Sequence, residues 1–381
     1  MRSRTLSEHL DRSVGPKRIL SLDGGGIRGA LSLGYLARLE GRLRERLDAG
    51  EGFRLCDFFD LIAGTSTGAI IAAGLAQGMS VEEIQREYRA LGDDVFEKSF
   101  FRRGVLRAKY DESNLIEMLQ RTFGRDVTLG SDRLRTGLLV MTKRLDTGSP
   151  WPLTNNPAGK FFDTAEAIPN RDYPLWQVVR ASTAAPAFFD PEWIEIARSP
   201  EGWSTKGLFV DGGVSPFNNP ALQAFMVATL SGHQLRWKCG ADALLVVSIG
   251  TGRREPSVRP TSATAGHAVG SLVSLMDDCG SLVETMMQWM SRSPTARGID
   301  ADVGDLGADL LGGAEQFHYL RYDLELSRRG LEAYLPGEVS DAELQRVSEM
   351  DDPRNLPLLE RLGAAAAERD MQDADLPDRF L

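Results

Sequence analysis

The stretch Phe59–Met79 reads FDLIAGTSTGAIIAAGLAQGM, and its reading decides the fold. A short apolar run over residues 58–63 leads into Gly64-Thr65-Ser66-Thr67-Gly68, and small residues suited to a helix follow. Strand, tight turn and helix in that order hold the serine of a G-x-S-x-G in a strained, exposed position with its hydroxyl free to attack. Glycines flank it because a sharp turn needs dihedrals and clearance that other residues tolerate poorly. Two other readings compete. No charged residue lies between Leu61 and Met79, which would suit a membrane span, and Gly64 with Gly68 fits the helix-pairing pattern G-x-x-x-G. The run is thick with Gly, Thr and Ser and has no basic flank, which favours the nucleophile.

Upstream, residues 19–22 form a short apolar strand, followed by Asp23-Gly24-Gly25-Gly26-Ile27-Arg28-Gly29 and a helix with Leu31, Leu33, Leu36 and Leu39. The glycines fit G-x-G-x-x-G, so a non-catalytic nucleotide-binding protein is one reading. Against it, Asp23 would sit beside the pyrophosphate, and no strand about 20 residues on ends in the acidic residue the motif requires. The other use of the same physics is an oxyanion hole. Amides of Gly24, Gly25 and Gly26 at a helix N-terminus favour developing negative charge, and the amide of Thr67 can join them. Arg28 is a candidate anion or phosphate contact, with a surface salt bridge as the equal alternative.

A serine nucleophile needs a base. His9 lies near the start, His233 in a polar loop, and His267 and His318 beyond the core motifs. Asp211 is better placed, at the end of the strand 207–210 and before Gly212-Gly213. A partly desolvated carboxylate can accept the serine proton. Taken alone, Asp-Gly-Gly reads better as a plain turn.

The remaining segments predict further strand–turn–helix units, hence an α/β protein with a mainly parallel sheet and helices on both faces. Ser80 with Glu83 predicts a capped helix to about Leu91. Residues 95–110, VFEKSFFRRGVLRAKY, read as a loop with snorkelling bases or as a lipid-headgroup contact. Residues 137–142 and 244–249 read as buried strands, 149–162 as a Pro- and Asn-rich loop, and 175–184 as a helix stopped by Pro186. The expected division is a leader over 1–16, a catalytic core over 17–254 and a helical extension over 255–381. That extension opens with a linker near 256–266 and a helix or helix pair over 268–290, broken near Gly280.

Composition narrows the function. The 381 residues carry a net charge of −10, which argues against general nucleic-acid binding. Cys56, Cys239 and Cys279 lack metal-ligand spacing, and no zinc or calcium cluster is evident, so no metal and no cofactor are expected. The N-terminal residues lack the apolar core of a signal peptide, so a cytoplasmic protein with peripheral membrane contact is expected.

Taken together, Asp23–Gly29, Gly64–Gly68 and Asp211–Gly213, in that order, resemble the patatin-like phospholipases. Ala181-Ser182-Thr183-Ala184-Ala185-Pro186 and Ser248-Ile249-Gly250-Thr251-Gly252 are similar to further segments of that family, and the resemblance covers residues 18–252. It implies a three-layer α/β/α fold and a Ser–Asp dyad in place of a triad. Ser66 would be the nucleophile, Asp211 the base and Gly24 to Gly26 the oxyanion hole. It also implies hydrolysis of fatty-acyl esters of membrane phospholipids without a metal. Some bacterial proteins of similar layout are antiviral effectors that a cyclic dinucleotide switches on to degrade the cell's own membrane. In that alternative reading a cyclic dinucleotide is a candidate second partner, and a further copy of the chain is a candidate third.

Overall fold

The computed structural model describes residues 3–92, 112–165, 167–186, 188–199, 202–254 and 264–381. The basic-aromatic stretch 95–110 and most of the expected linker lie outside the described residues.

A nine-stranded mixed sheet organises the described residues. Its parallel body comprises β1 (Lys17–Leu22), β2 (Leu61–Thr65), the first part of β3 (Gly137–Arg144), β7 (Leu244–Ile249) and β9 (Phe317–Tyr322), in the order β3-β2-β1-β7-β9. The short β8 (Ser291–Arg292) closes one edge parallel to β9. Three antiparallel strands complete the other side: β4 (Ser149–Thr154) on β3, and the hairpin of β5 (Glu192–Arg198) and β6 (Ser204–Asp211).

Burial on both faces explains why the parallel strands read as continuous apolar runs. Leu20, Leu22 and Ile62 point into one apolar cluster, which the helices Gly29–Arg46, Thr67–Ala76 and Leu356–Asp370 cover. Ile19, Leu61 and Ala63 point into a second, under the helices Ala221–Thr229 and Thr264–Trp289. The result is three layers, helix on sheet on helix. The uncharged run after Leu61 is therefore a core strand and a buried core helix, and no helix among the described residues is long and apolar enough to cross a membrane.

Three elements depart from the sequence reading. Residues 149–154 pair with β3 despite Pro150 and Pro152, which is tolerable because β4 is an edge strand and proline's missing N–H costs it no ladder bond. The helix Thr264–Trp289 runs through Gly280 unbroken; one interior glycine costs only about 1 kcal/mol, and Val283 and Met287 anchor the helix on the sheet. The extension after residue 255, expected to be helical, also contributes β8 and β9 to the sheet. Its polar members hid β9. His318 is paired with the carbonyl of Asp375, and Arg321 with Asp23, both far along the chain.

Residues 4–10 pack on the core. Thr5 caps the helix Leu6–Leu10, and His9 and Arg4 both reach the buried Asp60 at 3.0 and 2.7 Å.

Candidate active site

The site forms where two strands meet end to end. β2 pairs with residues 137–141 of β3 and finishes with Thr65 opposite Met141. β6 runs the other way along the same side of β3 and finishes with Asp211 opposite Thr142. Neighbouring residues of β3 thus bring Ser66 and Asp211 face to face across the junction.

Ser66 sits in the turn with φ 54° and ψ −126°, a conformation in which a non-glycine residue is strained. Close packing holds it there. A Cβ on Gly64 would lie 2.2 Å from the Gly68 carbonyl oxygen, and one on Gly68 would lie 2.4 Å from that of Leu22. The two glycines let the helix start pack directly onto the strand ends. The Ser66 amide donates to Oγ of Ser182 at 2.9 Å, and that hydroxyl donates to the Met141 carbonyl at 2.6 Å.

The Asp211 carboxyl accepts from the Gly213 amide at 2.7 Å, and the Ser66 side chain lies near enough to favour its ionised form. Burial pushes it up to about 6, against the opposing pull of the Ser66 hydrogen bond, the Gly213 amide and the Arg180 charge. The Asp211 amide donates to the carbonyl of Ala184 at 3.0 Å.

Both residues open into a cleft of about 840 Å³ that includes space open to solvent. Ile70, Leu91, Leu115 and Phe189 give it an apolar wall, joined by Met276 and Met350 from the C-terminal third. Among the described residues, no histidine lines it. His9 and His318 are buried in other bonds, to Asp60 and to the Asp375 carbonyl.

The structure narrows the expected oxyanion hole. Gly25, Gly26 and Thr67 border the cleft. Gly24 does not, and its amide already donates to the Asn218 carbonyl at 3.1 Å. The side-chain amide of Asn218 returns a bond to the Gly24 carbonyl at 3.3 Å, so Gly24 is a joint between two loops. Gly26 has φ +59° and lies so close to the Met350 carbonyl that a Cβ would come within 2.1 Å of its oxygen.

Arg28 is corrected too. Its guanidinium is buried and donates to the carbonyls of Gly25 and Gly252 at 3.4 and 3.2 Å, so it ties two glycine turns together and does not face the cleft. At the helix start the Ile27 amide is taken by the Met350 carbonyl at 2.8 Å, which leaves one donor fewer for a pyrophosphate.

Several residues that shape the site carry no local signal in the sequence. Tyr88 donates to the Gly26 carbonyl. Arg321 on β9 grips Asp23 through two bonds of 3.0 and 2.6 Å and also reaches Ser248 and Asp323. Asp323 in turn accepts from the Gly252 amide at 2.8 Å. The C-terminal third therefore fastens both glycine turns.

A sequence model of the family described as patatin-like phospholipase matches residues 20–225, more than half of the chain. The chain belongs to the patatin-like phospholipase family. Among curated relatives, it is 34% identical over 227 residues to a cGAMP-activated phospholipase of Vibrio cholerae, covering 56% of this chain and 57% of that protein. It is 32% identical over 249 residues to an intracellular phospholipase A2 of Caenorhabditis elegans, covering 64% of this chain and 20% of that one. It is 30% identical over 251 residues to Patatin-17 of Solanum cardiophyllum, covering 61% and 60%. The chain thus spans less than two thirds of the length of these relatives. The family match contains Ser66, Asp211 and the first glycine turn. Met276, Arg321 and Met350 lie beyond it.

Proposed function

We propose that this patatin-like protein is a lipid acyl hydrolase that cleaves fatty-acyl esters of membrane phospholipids through Ser66 and Asp211. The observation that carries this reading is the end-to-end meeting of β2 and β6 on β3, which sets a strained serine against a buried carboxylate in an apolar cleft. The carboxylate of Asp211 accepts the Ser66 proton as Oγ attacks the ester carbonyl. The resulting oxyanion lies toward the Gly25, Gly26 and Thr67 amides, where preorganised donors are each worth about 10²–10³ in rate. Collapse releases the lysophospholipid alcohol, which takes the proton from Asp211 and leaves an acyl ester on Ser66. A water that gives its proton to Asp211 then attacks that ester. The fatty acid departs and Ser66 recovers its proton. Peripheral contact with a bilayer suffices, since a lipid can present its acyl ester to the cleft from the interface.

The test is fatty-acid release from mixed phospholipid vesicles by wild type and Ser66→Ala. Release by wild type that vanishes in a folded Ser66→Ala supports the reading; equal release by both ends it.

One finding favours a finer reading, in which the hydrolase is switched on by a cyclic dinucleotide as an antiviral effector. The 34% identical relative is a cGAMP-activated phospholipase. The same assay with a cyclic-dinucleotide panel separates the two, because an activated enzyme is silent until one member is added.

A further inference from the structure

Ser66 is the first residue of the chain after β2, and in a continued parallel ladder its amide would bond directly to a β3 carbonyl. The sharp turn carries the amide away from that position. The hydroxyl of Ser182 fills the gap, accepting from the Ser66 amide at 2.9 Å and donating to the Met141 carbonyl at 2.6 Å. Ser182 is the last residue of the helix Leu175–Ser182 and is fully buried. Two residues later, the Ala184 carbonyl accepts the Asp211 amide at 3.0 Å. One short segment thus holds the backbone of both dyad members, at the point on β3 where one strand stops and the other starts.

We propose that Ser182 is a positioning residue of the dyad, replacing a lost ladder bond so that Ser66 keeps its positive-φ turn and its hydroxyl stays on the Asp211 carboxylate. The inference rests on the hydrolase reading above. Without the Ser182 hydroxyl, the Ser66 amide and the Met141 carbonyl both lose this partner. The turn can then relax toward ordinary dihedrals, which swings Oγ off the carboxylate. Misplacement by about 1 Å is enough to cost roughly 10²-fold in rate. The consequence reaches the acid–base behaviour. The Ser66 hydrogen bond favours the ionised carboxylate, the Gly213 amide and the Arg180 charge do the same, and burial opposes all three. Loosening the Ser66 bond alone raises the pH at which Asp211 gives up its proton.

The experiment measures steady-state fatty-acid release from phosphatidylcholine vesicles by wild type, Ser66→Ala, Ser182→Ala and Ser182→Cys across about pH 5–9. Cysteine matches serine in shape but offers only a weak donor and acceptor, so it serves if the alanine variant does not fold. The expected result is a kcat about 10- to 100-fold below wild type with KM little changed, and an acid limb moved to higher pH. A general loss of structure would not move the limb of the molecules that remain folded. Wild-type kcat and an unmoved limb in a folded Ser182 variant overturn the inference while leaving the hydrolase reading intact. A wild type as inert as Ser66→Ala overturns both.

Discussion

Ser66 and Asp211 show how one residue's surroundings set its chemistry. An exposed aspartate is too weak a base to take a proton from an alcohol at useful rates. Burial raises Asp211 to about 6, still low enough to leave it ionised at neutral pH, where the proposed mechanism needs a base. Activity is therefore expected to climb as pH rises through about 6 and to level above it, because the base works only when deprotonated. A bell or plateau with its acid limb near the ordinary aspartate value, about 4, would contradict the environment described. The same burial has a stability cost. The folded protein binds the Asp211 proton more tightly than the unfolded chain, so stability falls as pH rises from about 4 to 6 and the penalty stays in full above that. A shift of this size is worth on the order of 2–3 kcal/mol. Asp211→Asn should lose roughly 10²–10⁴ in activity, yet melt higher than wild type at pH 8. The gain should shrink as pH falls through 6 toward 4, a pattern that differential scanning calorimetry checks.

At the level of elements, the junction of β2, β6 and β3 makes the site, and buried bonds from remote segments hold it. Arg321 is the strongest of these, since it neutralises Asp23 at the mouth of the first glycine turn. Burial raises the Asp23 carboxyl to about 6 even beside that guanidinium. Arg321→Met leaves a buried carboxylate without a partner and should cost about 3–5 kcal/mol in urea denaturation. The loss should be smaller at pH 5 than at pH 8, because a protonated Asp23 needs no cation. Gly68→Ala tests the packing of the turn. Its new methyl would meet the carbonyls of Leu22 and Asp23 at 2.4 and 2.6 Å, both rigid backbone. Loss of soluble protein, or a melting temperature lower by many degrees, is expected.

What was legible in the sequence follows from these distances. The turn at Ser66, the glycine loop and the Asp-Gly-Gly turn carry their geometry in neighbouring residues, so the motifs could be read one by one. The parallel body of the sheet was legible for the same reason, as short apolar runs ending in turns. Asn218, Tyr88 and Arg321 act through partners dozens to hundreds of residues away, and nothing beside them marks the role; Ser182 lies in a segment similar to the family, but its partners Ser66 and Met141 are equally remote. Arg28 misled because an arginine next to a glycine loop looks the same whether it faces a ligand or two carbonyls. Gly24 misled likewise, since the partner of its amide lies in the loop after Asp211.

Across the whole molecule, the C-terminal third is built into the catalytic layer. The helix Leu356–Asp370 lies along Gly29–Arg46 so closely that a Cβ on Gly34 would come within 2.3 Å of Gly363 backbone. Leu359, Leu362 and Phe380 join the same apolar cluster as Leu31 and Ile62. A chain cut before residue 356 would expose that cluster and is expected to be insoluble or to lose its cooperative melt, whereas a detachable tail would leave the melt unchanged. Met276 and Met350 bring this third into the cleft wall, so its position bears on substrate access.

The central claim is that Asp211 activates Ser66 as a nucleophile, and covalent labelling tests it most directly. Wild type and Asp211→Asn are treated with a long-chain alkyl fluorophosphonate and the adduct is located by peptide mass mapping. The account predicts one adduct, on Ser66, forming at least about 10²-fold more slowly in Asp211→Asn. An adduct on another residue, or equal rates in the two proteins, would contradict it.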